Sequence, residues 1–386
     1  MNIKLLKNAN VYAPKYLGKK DILIGYGKII KIDDEINISG LDVEVIDFKE
    51  DYLFPGFIDN HVHITGGGGE GGFKYRTPEI KLTDITLAGV TTVIGVIGTD
   101  GTTRVMTNLL AKVKSLREEG VSAYCLSGSY EIPPMTLTNS IVDDLILFEE
   151  IIGVGEVAIS DHRATAPTVE ELSKVATKVR LGGMISGKGG VVNVHLGDGK
   201  NGIELLYKVL ENTDLPIKHF VPTHMNRNFK LYKSGLLWTG RGGFVDFTTS
   251  TTEKFLAEGE IKCSDAMLEY DKFCLLDMVT LSSDGQGSLP EFDEAGELVG
   301  LGVGSCKSIL KEIVDAIKDG LDISKAISVA TINPARAYNL QNKGQIKENF
   351  DADIIRLNKD FEIIDVYAMS RTMVKDKIAI VKGTYE

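Results

Sequence analysis

The sequence predicts an α/β chain: a (β/α)8 TIM barrel that carries a small β-sandwich domain built from both chain termini. Three observations predict it. The chain has 386 residues, more than the roughly 250 of a barrel alone. Its middle alternates apolar runs with longer amphipathic stretches. Both of its ends read as short strands broken by turns.

The N-terminal end comes first. Asp21-Ile-Leu-Ile-Gly25 and Lys28-Ile-Ile-Lys-Ile32 flank a Gly-Tyr-Gly turn, and Val43-Glu-Val-Ile46 follows a polar loop. The last forty or so residues look alike, with Asp353-Ile-Ile355, Ile363-Ile-Asp-Val-Tyr367 and Ile378-Ala-Ile-Val381. Neither end has enough strands to stand alone, so the two should combine. Residues 1–54 with 345–386 are expected to form the β-sandwich domain, and 55–344 the barrel.

Within the barrel, the apolar runs are 57–63, 91–97, 123–130, 154–161, 191–196, 220–224, 244–249 and 279–284. Helix-period segments separate them. In 103–119, Val105, Leu109, Leu110, Val113 and Leu116 share one face, and Gly120 stops the helix. Apolar strands separated by helices imply a parallel sheet covered on both faces. Eight such units point to closure.

Composition narrows the function. A net charge of -11 argues against nucleic-acid or membrane-surface binding, which needs a basic field. No apolar run approaches the ~18 residues of a membrane span. The start, MNIKLLKNANVY, lacks a signal-peptide core. Cys125, Cys263, Cys274 and Cys306 are scattered. They read as reduced, mostly buried thiols of a cytoplasmic protein.

Chemistry concentrates at strand ends. In His61-Val62-His63, alternate residues face one side, so two imidazoles can grip one cation. Alone, the pair reads equally as surface histidines. However, His195 and His224 also end apolar runs, and Asp284 ends the last one. In a barrel those ends converge on one mouth. Four of the six histidines fall there, which points to a metal site. Nitrogen and carboxylate ligands without thiolates suit Zn²⁺, with Mn²⁺, Co²⁺ or Fe²⁺ as alternatives. His162 is expected behind the ligands or in a structural role, and His219 at the solvent face. The glycine-rich run 66–72, with Glu70 its only charge, reads as a loop that approaches a ligand. The run 182–189 nearly spells a phosphate loop, but Gly189 stands where Ser or Thr is needed, and a helical pattern precedes it.

These residues resemble a known family. The frame PGFIDNHVH, the later histidines and SSDG resemble the amidohydrolase superfamily. HVHITGGGGEGG, VIGVIGTDG, LSGSYEIPP, AISDHR, PTHMNRN, LSSDGQGS and the terminal VKGTYE resemble its isoaspartyl (β-aspartyl) dipeptidase branch, nearly end to end. The resemblance implies a metallopeptidase with a small dipeptide substrate and two Zn²⁺ per subunit, and a homo-oligomer. His61 and His63 would hold the more buried metal, and His195 and His224 the more exposed one. Asp284 would bind the first metal and act as general base. Glu70 would fix the α-amino group, and Tyr130 would polarise the scissile carbonyl. Arg163 and Arg227 would take carboxylates, while Thr99, Ser288 and the backbone at Gly68 add hydrogen bonds. The family's bridging carboxylated lysine is replaced here by Glu156, a shorter anion that needs no CO₂, so the expectation is a bridged pair of metals, with a single metal as the alternative. The competing activity is hydrolysis of N-acyl amino acids or cyclic imides.

Overall fold

A computed structural model describes residues 3–40, 42–292 and 298–386. The N-terminal strands are β1 (Ile3–Tyr12), β2 (Tyr16–Gly25), β3 (Lys28–Asp33), β4 (Val43–Asp47) and β5 (Tyr52–Pro55). Gly27 makes the tight β2–β3 turn at φ 81°, a left-handed conformation that costs glycine little. The C-terminal strands are numbered below, after those of the barrel.

The parallel strands are β6 (Phe57–Val62), β7 (Val90–Gly95), β8 (Ser122–Ser127), β9 (Ile151–Ile159), β10 (Val191–Leu196), β11 (Phe220–Thr223), β12 (Val245–Thr248) and β13 (Val279–Ser282). Each lies within or across one of the eight apolar runs. β6 to β11 form one curled sheet in sequential order, and β12 pairs with β13. Single contacts carry the curvature round. Met225 N–H donates to Asp246 O at 3.1 Å, and His63 N–H to Gly285 O at 2.8 Å. This arrangement fits a TIM-like barrel. Every residue of β6, β7 and β10 is buried, because helices cover the outer face and side chains fill the inner one.

The helix Met106–Glu119 buries Met106, Leu109, Leu110, Val113 and Leu116. It starts one turn later than the sequence pattern suggested, so Val105 is an exposed N-cap and not a core residue. Gly120 ends it at φ 119°. Residues 182–186 finish the helix Val169–Ser186, which a Thr168–Glu171 capping box opens. The run 182–189 is thus a helix end and its exit turn.

A hairpin not anticipated from the sequence, β14 (Ser288–Phe292) and β15 (Leu298–Val303), follows the last barrel strand. The C-terminal strands are β16 (Ile354–Leu357), β17 (Ile363–Ala368), β18 (Arg371–Lys375) and β19 (Ile378–Ala379). β16 pairs antiparallel with β5, from Ile354 opposite Pro55 to Leu357 opposite Tyr52. Both chain ends therefore share one nine-stranded sheet. Leu6, Ile22, Ile24, Leu53, Ile354 and Tyr367 form its core. Buried Lys343 joins this end to the barrel: its ammonium lies 2.6 Å from Asp353 and 2.8 Å from Asp351, and donates to Ser122 Oγ at 2.6 Å. Cys125, Cys263 and Cys306 are buried, Cys274 is exposed, and all four are free.

His219 corrects an expectation. The turn Ile217–His219 packs against β10, which buries the ring and takes it from the solvent face. Burial, with Arg180 and Lys218 adding positive field, pushes the imidazolium down to about 4. An unfolded chain takes up that proton near about 6.5. The folded chain refuses it across the whole interval, so stability falls as the pH drops from the unfolded value to the folded one. The urea midpoint is therefore expected to fall between about pH 7 and pH 5. His219→Gln should show a shallower fall, and an equal fall in both proteins would assign the sensitivity to another group.

Candidate metal centre and cleft

His61 lies on β6 and His63 just beyond it. Glu156 lies on β9 and His195 on β10. His224 follows β11 at φ 61°, and Asp284 follows β13 at φ 51°. Left-handed backbone at a residue other than glycine costs about 1–3 kcal/mol and concentrates at functional sites. Here it turns both side chains into the mouth.

The six side chains meet. Glu156 Oε2 lies 2.9 Å from His195 Nδ1, 3.3 Å from His61 Nε2 and 3.8 Å from His224 Nε2. Its Oε1 lies 3.7 Å from His63 Nε2. Asp284 Oδ1 lies 3.1 Å from His63 Nε2 and 3.9 Å from His61 Nε2. Two sets of ligand atoms each fit within 4.8 Å: His61, His63 and Asp284, and His61, Glu156 and His224.

A test of fit comes from polar atoms left over. Both ring nitrogens of His61, Nδ1 of His63, Glu156 Oε1 and Asp284 Oδ1 are buried without a hydrogen-bond partner among the described residues. They approach one another, but not with hydrogen-bond alignment. Such orphans are costly in a protein interior. A divalent cation would satisfy those that face one another, His61 Nε2, Glu156 Oε1 and Asp284 Oδ1, and an all-nitrogen-and-oxygen donor set suits zinc.

The local field agrees. Burial pushes the Glu156 carboxyl up, but the positive field of His61 and the hydrogen bond with His195 outweigh it, holding it well below the usual range. Asp284 is likewise raised by burial but pulled lower by His63, His224 and His61. For His61 burial works downward, yet Glu156 and Asp284 hold its imidazolium up to about 9. The buried Glu156 and the partly buried Asp284 thus hold positive charge on the His61 ring between them.

Above the cluster is a cleft of about 440 Å³, open mouth included. It is sized for a small ligand. His63, Glu156, His195, His224 and Asp284 line its floor, and His61 lies beneath. Gly68, Glu70, Thr99, Tyr130, Arg163, Arg227 and Ser288 line the rest. Glu70 Oε1 accepts from Thr99 Oγ1 at 3.0 Å and from Arg163 Nη1 at 3.1 Å. The Tyr130 hydroxyl lies 2.9 Å from His195 Nδ1. Burial and the Glu156 charge raise its pKa well above the ordinary value, so it keeps its proton. Arg227 Nη1 donates to Leu196 O at 3.1 Å. A Cβ on Gly68 would meet Tyr75 O at 2.7 Å, so only glycine lets this backbone face the cleft.

His162 departs from expectation. Its side chain is 87% exposed, with only a 3.6 Å approach to Asp161, because the chain turns outward after β9. Two important residues were not singled out in the sequence. Asp161 accepts from Arg163 Nε at 2.9 Å and Nη2 at 2.8 Å and lies 3.1 Å from His195 Nε2. Burial raises its carboxyl, but those bonds outweigh burial and hold it far below the usual range. Its place two residues before Arg163 was the available signal. Arg104, buried, donates to Gly67 O at 2.7 Å and Gly68 O at 3.2 Å, fixing the glycine loop. No local pattern marks it.

The amidohydrolase family profile matches residues 52–379. The chain belongs to the amidohydrolase family. A crystal structure of beta-aspartyl dipeptidase from Fervidobacterium islandicum AW-1, in complex with a beta-Asp-Leu dipeptide, is 46% identical. It covers 98% of each chain at a TM-score of 0.91. A D-hydantoinase from Thermus sp. matches at TM-score 0.68 and 15% identity, over 98% of this chain and 97% of that one, a likeness of fold alone. Among curated relatives, the Staphylococcus epidermidis dihydroorotase is 41% identical over 68 residues, 18% of this chain and 16% of that protein. The Clostridium perfringens adenine deaminase is 25% identical over 386 aligned residues, 95% of this chain and 57% of that protein. This amidohydrolase is therefore a hydrolase, from a family that is typically metal-dependent.

After equilibration with zinc and removal of free ion, the amidohydrolase is expected to retain about two equivalents. Glu156→Ala, which deletes the carboxylate of the set formed with His61 and His224, should retain one or none. Elemental analysis giving the same count for both proteins would remove Glu156 from the site.

Proposed function

We propose that this amidohydrolase is a metallopeptidase that hydrolyses isoaspartyl (β-aspartyl) dipeptides. One observation carries the reading: Glu70 and Arg163 present opposite charges 3.1 Å apart over the ligand cluster. A substrate with an ammonium and a carboxylate close together matches that pairing. The Fervidobacterium protein, 46% identical, was crystallised with a beta-Asp-Leu dipeptide, which supports the same class of substrate.

The roles follow from chemistry. His61, His63 and Asp284 would hold one Zn²⁺, and His195 and His224 a second, with Glu156 shared between them. Mn²⁺, Co²⁺ and Fe²⁺ have compatible ligand preferences. Bound there, the metals supply Lewis acidity and bring the pKa of water toward neutrality. The Asp284 carboxylate takes the proton of the attacking water and returns it to the leaving amine. Tyr130, with its proton retained, donates to the carbonyl oxygen as negative charge develops. Glu70 holds the α-ammonium group. Arg163 and Arg227 take the two carboxylates, guanidinium forks being suited to planar anions. Thr99, Ser288 and the Gly68 backbone complete the hydrogen bonds.

A neutral cyclic imide would leave both arginines unused, which disfavours the competing activity on imides; activity on N-acyl amino acids is the remaining alternative. The same reading takes residues 1–54 with 345–386 as a sandwich domain and 55–344 as the barrel. It places the enzyme in the cytoplasm, consistent with four free cysteines. It also makes the enzyme a homo-oligomer, consistent with the exposed apolar helix edge of Leu181, Met184 and Ile185.

In a substrate panel, β-Asp-Leu should turn over and N-acyl amino acids should not; the reverse result would overturn the dipeptidase reading. Asp284→Asn should lower kcat by about a thousandfold, and near-normal turnover would remove Asp284 from proton transfer. Glu70→Gln should raise KM about 10- to 100-fold for free-amine dipeptides while the zinc content stays unchanged. An equal rise for N-acetylated dipeptides would show that Glu70 does not read the amine.

A further inference from the structure

Further from the mouth than the ligands lies a carboxylate that the proposed chemistry does not use. Asp246, on β12, is fully buried. Its Oδ1 accepts from Asn60 Nδ2 at 2.8 Å and Thr280 Oγ1 at 2.6 Å. Its Oδ2 accepts from Thr223 Oγ1 at 2.7 Å and Ser282 Oγ at 2.6 Å. The four bonds fill the acceptor sites of one carboxylate.

The donors sit on three other strands, and each strand leads into a metal ligand. Asn60, on β6, immediately precedes His61. Thr223, on β11, immediately precedes His224. Ser282, on β13, stands two residues before Asp284. β12 itself contributes no ligand. The continuous ladder of the barrel ends at β6 and β11, and β12 and β13 form a separate pair. Across those two seams, side-chain bonds to Asp246 supply ties that backbone ladders do not.

We propose that Asp246 is a positioning residue for the metal centre: by tying β6, β11 and β13 together, its carboxylate sets the relative placement of His61, His224 and Asp284. The assignment rests on the metal centre proposed above. Partners behind metal ligands commonly alter affinity because they fix ligand orientation. An amide at 246 would turn an NH₂ toward two of the four donors and break that geometry.

The test uses the full chain, with zinc and cobalt as probes. Asp246→Asn that stays folded by circular dichroism should bind Zn²⁺ about 10- to 100-fold more weakly, measured by competition with a chelator. Its Co²⁺-loaded form should show altered visible absorption, which reports ligand geometry and is not moved by a general loss of stability. Unchanged zinc affinity with a superimposable cobalt spectrum would overturn the proposal, even if the melting temperature dropped. Should Asp246→Asn fail to fold, Thr223→Val and Ser282→Ala each remove one bond and are read the same way. Wild-type affinity and spectrum in both would equally overturn it. A wild-type protein that takes up neither ion would sink the metal centre itself, a result distinct from a variant that binds normally.

Discussion

One buried anion organises this molecule. Glu156 is 1% exposed and has imidazoles from His61, His63, His195 and His224 within 3.8 Å. A carboxylate in an apolar interior is costly unless opposite charge and hydrogen bonds compensate it. No single element can compensate this one, because its partners arrive from β6, β10 and β11. The strand ends must therefore converge, and a parallel barrel is a fold that makes many strand ends converge. The apolar wall around them keeps the local dielectric low, which strengthens each electrostatic contact.

Convergence has to be enforced below the ligands as well as at them. The centre straddles the places where the backbone ladder is interrupted. Asp59 accepts from Ser283 N–H at 3.0 Å and also from the Ser283 hydroxyl, holding the residue next to Asp284. Asp246 gathers the neighbouring strands. Burial pushes the Asp59 carboxyl up to about 6 and raises that of Asp246 too. These carboxylates are costly in themselves, and hydrogen bonds from serine, threonine and asparagine offset that cost. A polar floor of this kind favours one arrangement of strands over alternatives that apolar packing alone would tolerate.

Much of this was legible in the sequence because the signals are local. Each apolar run carries a strand, since a strand covered on both faces must be apolar throughout. The histidines at run ends are found together because a barrel brings run ends to one mouth. Glu156, found by its spacing from SDHR, lies at the centre of the cluster. What escaped depends on contacts distant in sequence. His219 is buried by packing of its turn on β10, and His162 is exposed because the chain leaves the barrel there; neither fate is written in the flanking residues. Val105 carries the helix period but stands outside the first turn. Arg104 serves carbonyls more than thirty residues away. Asp246 looks like one more polar residue in an apolar run until the strands that surround it are known.

The mouth of the cleft shows a division of labour between two carboxylates on one guanidinium. Asp161, 3% exposed, grips the Nε and Nη2 edge of Arg163. Glu70, 38% exposed, meets Nη1 across a gap that water reaches. A solvent-exposed ion pair is worth only about 0–1 kcal/mol, whereas breaking a buried one leaves a charge without compensation. The two contacts thus differ in how readily they yield. On the proposed reading, an incoming carboxylate would take the Nη1 side from Glu70 at little cost while Asp161 keeps the guanidinium aimed. Glu70, once released, is free to meet a positive group on the same ligand. On that reading, the exchange would conserve charge pairing only for a ligand that brings both signs, so the resting contacts of the cleft would themselves favour such a ligand.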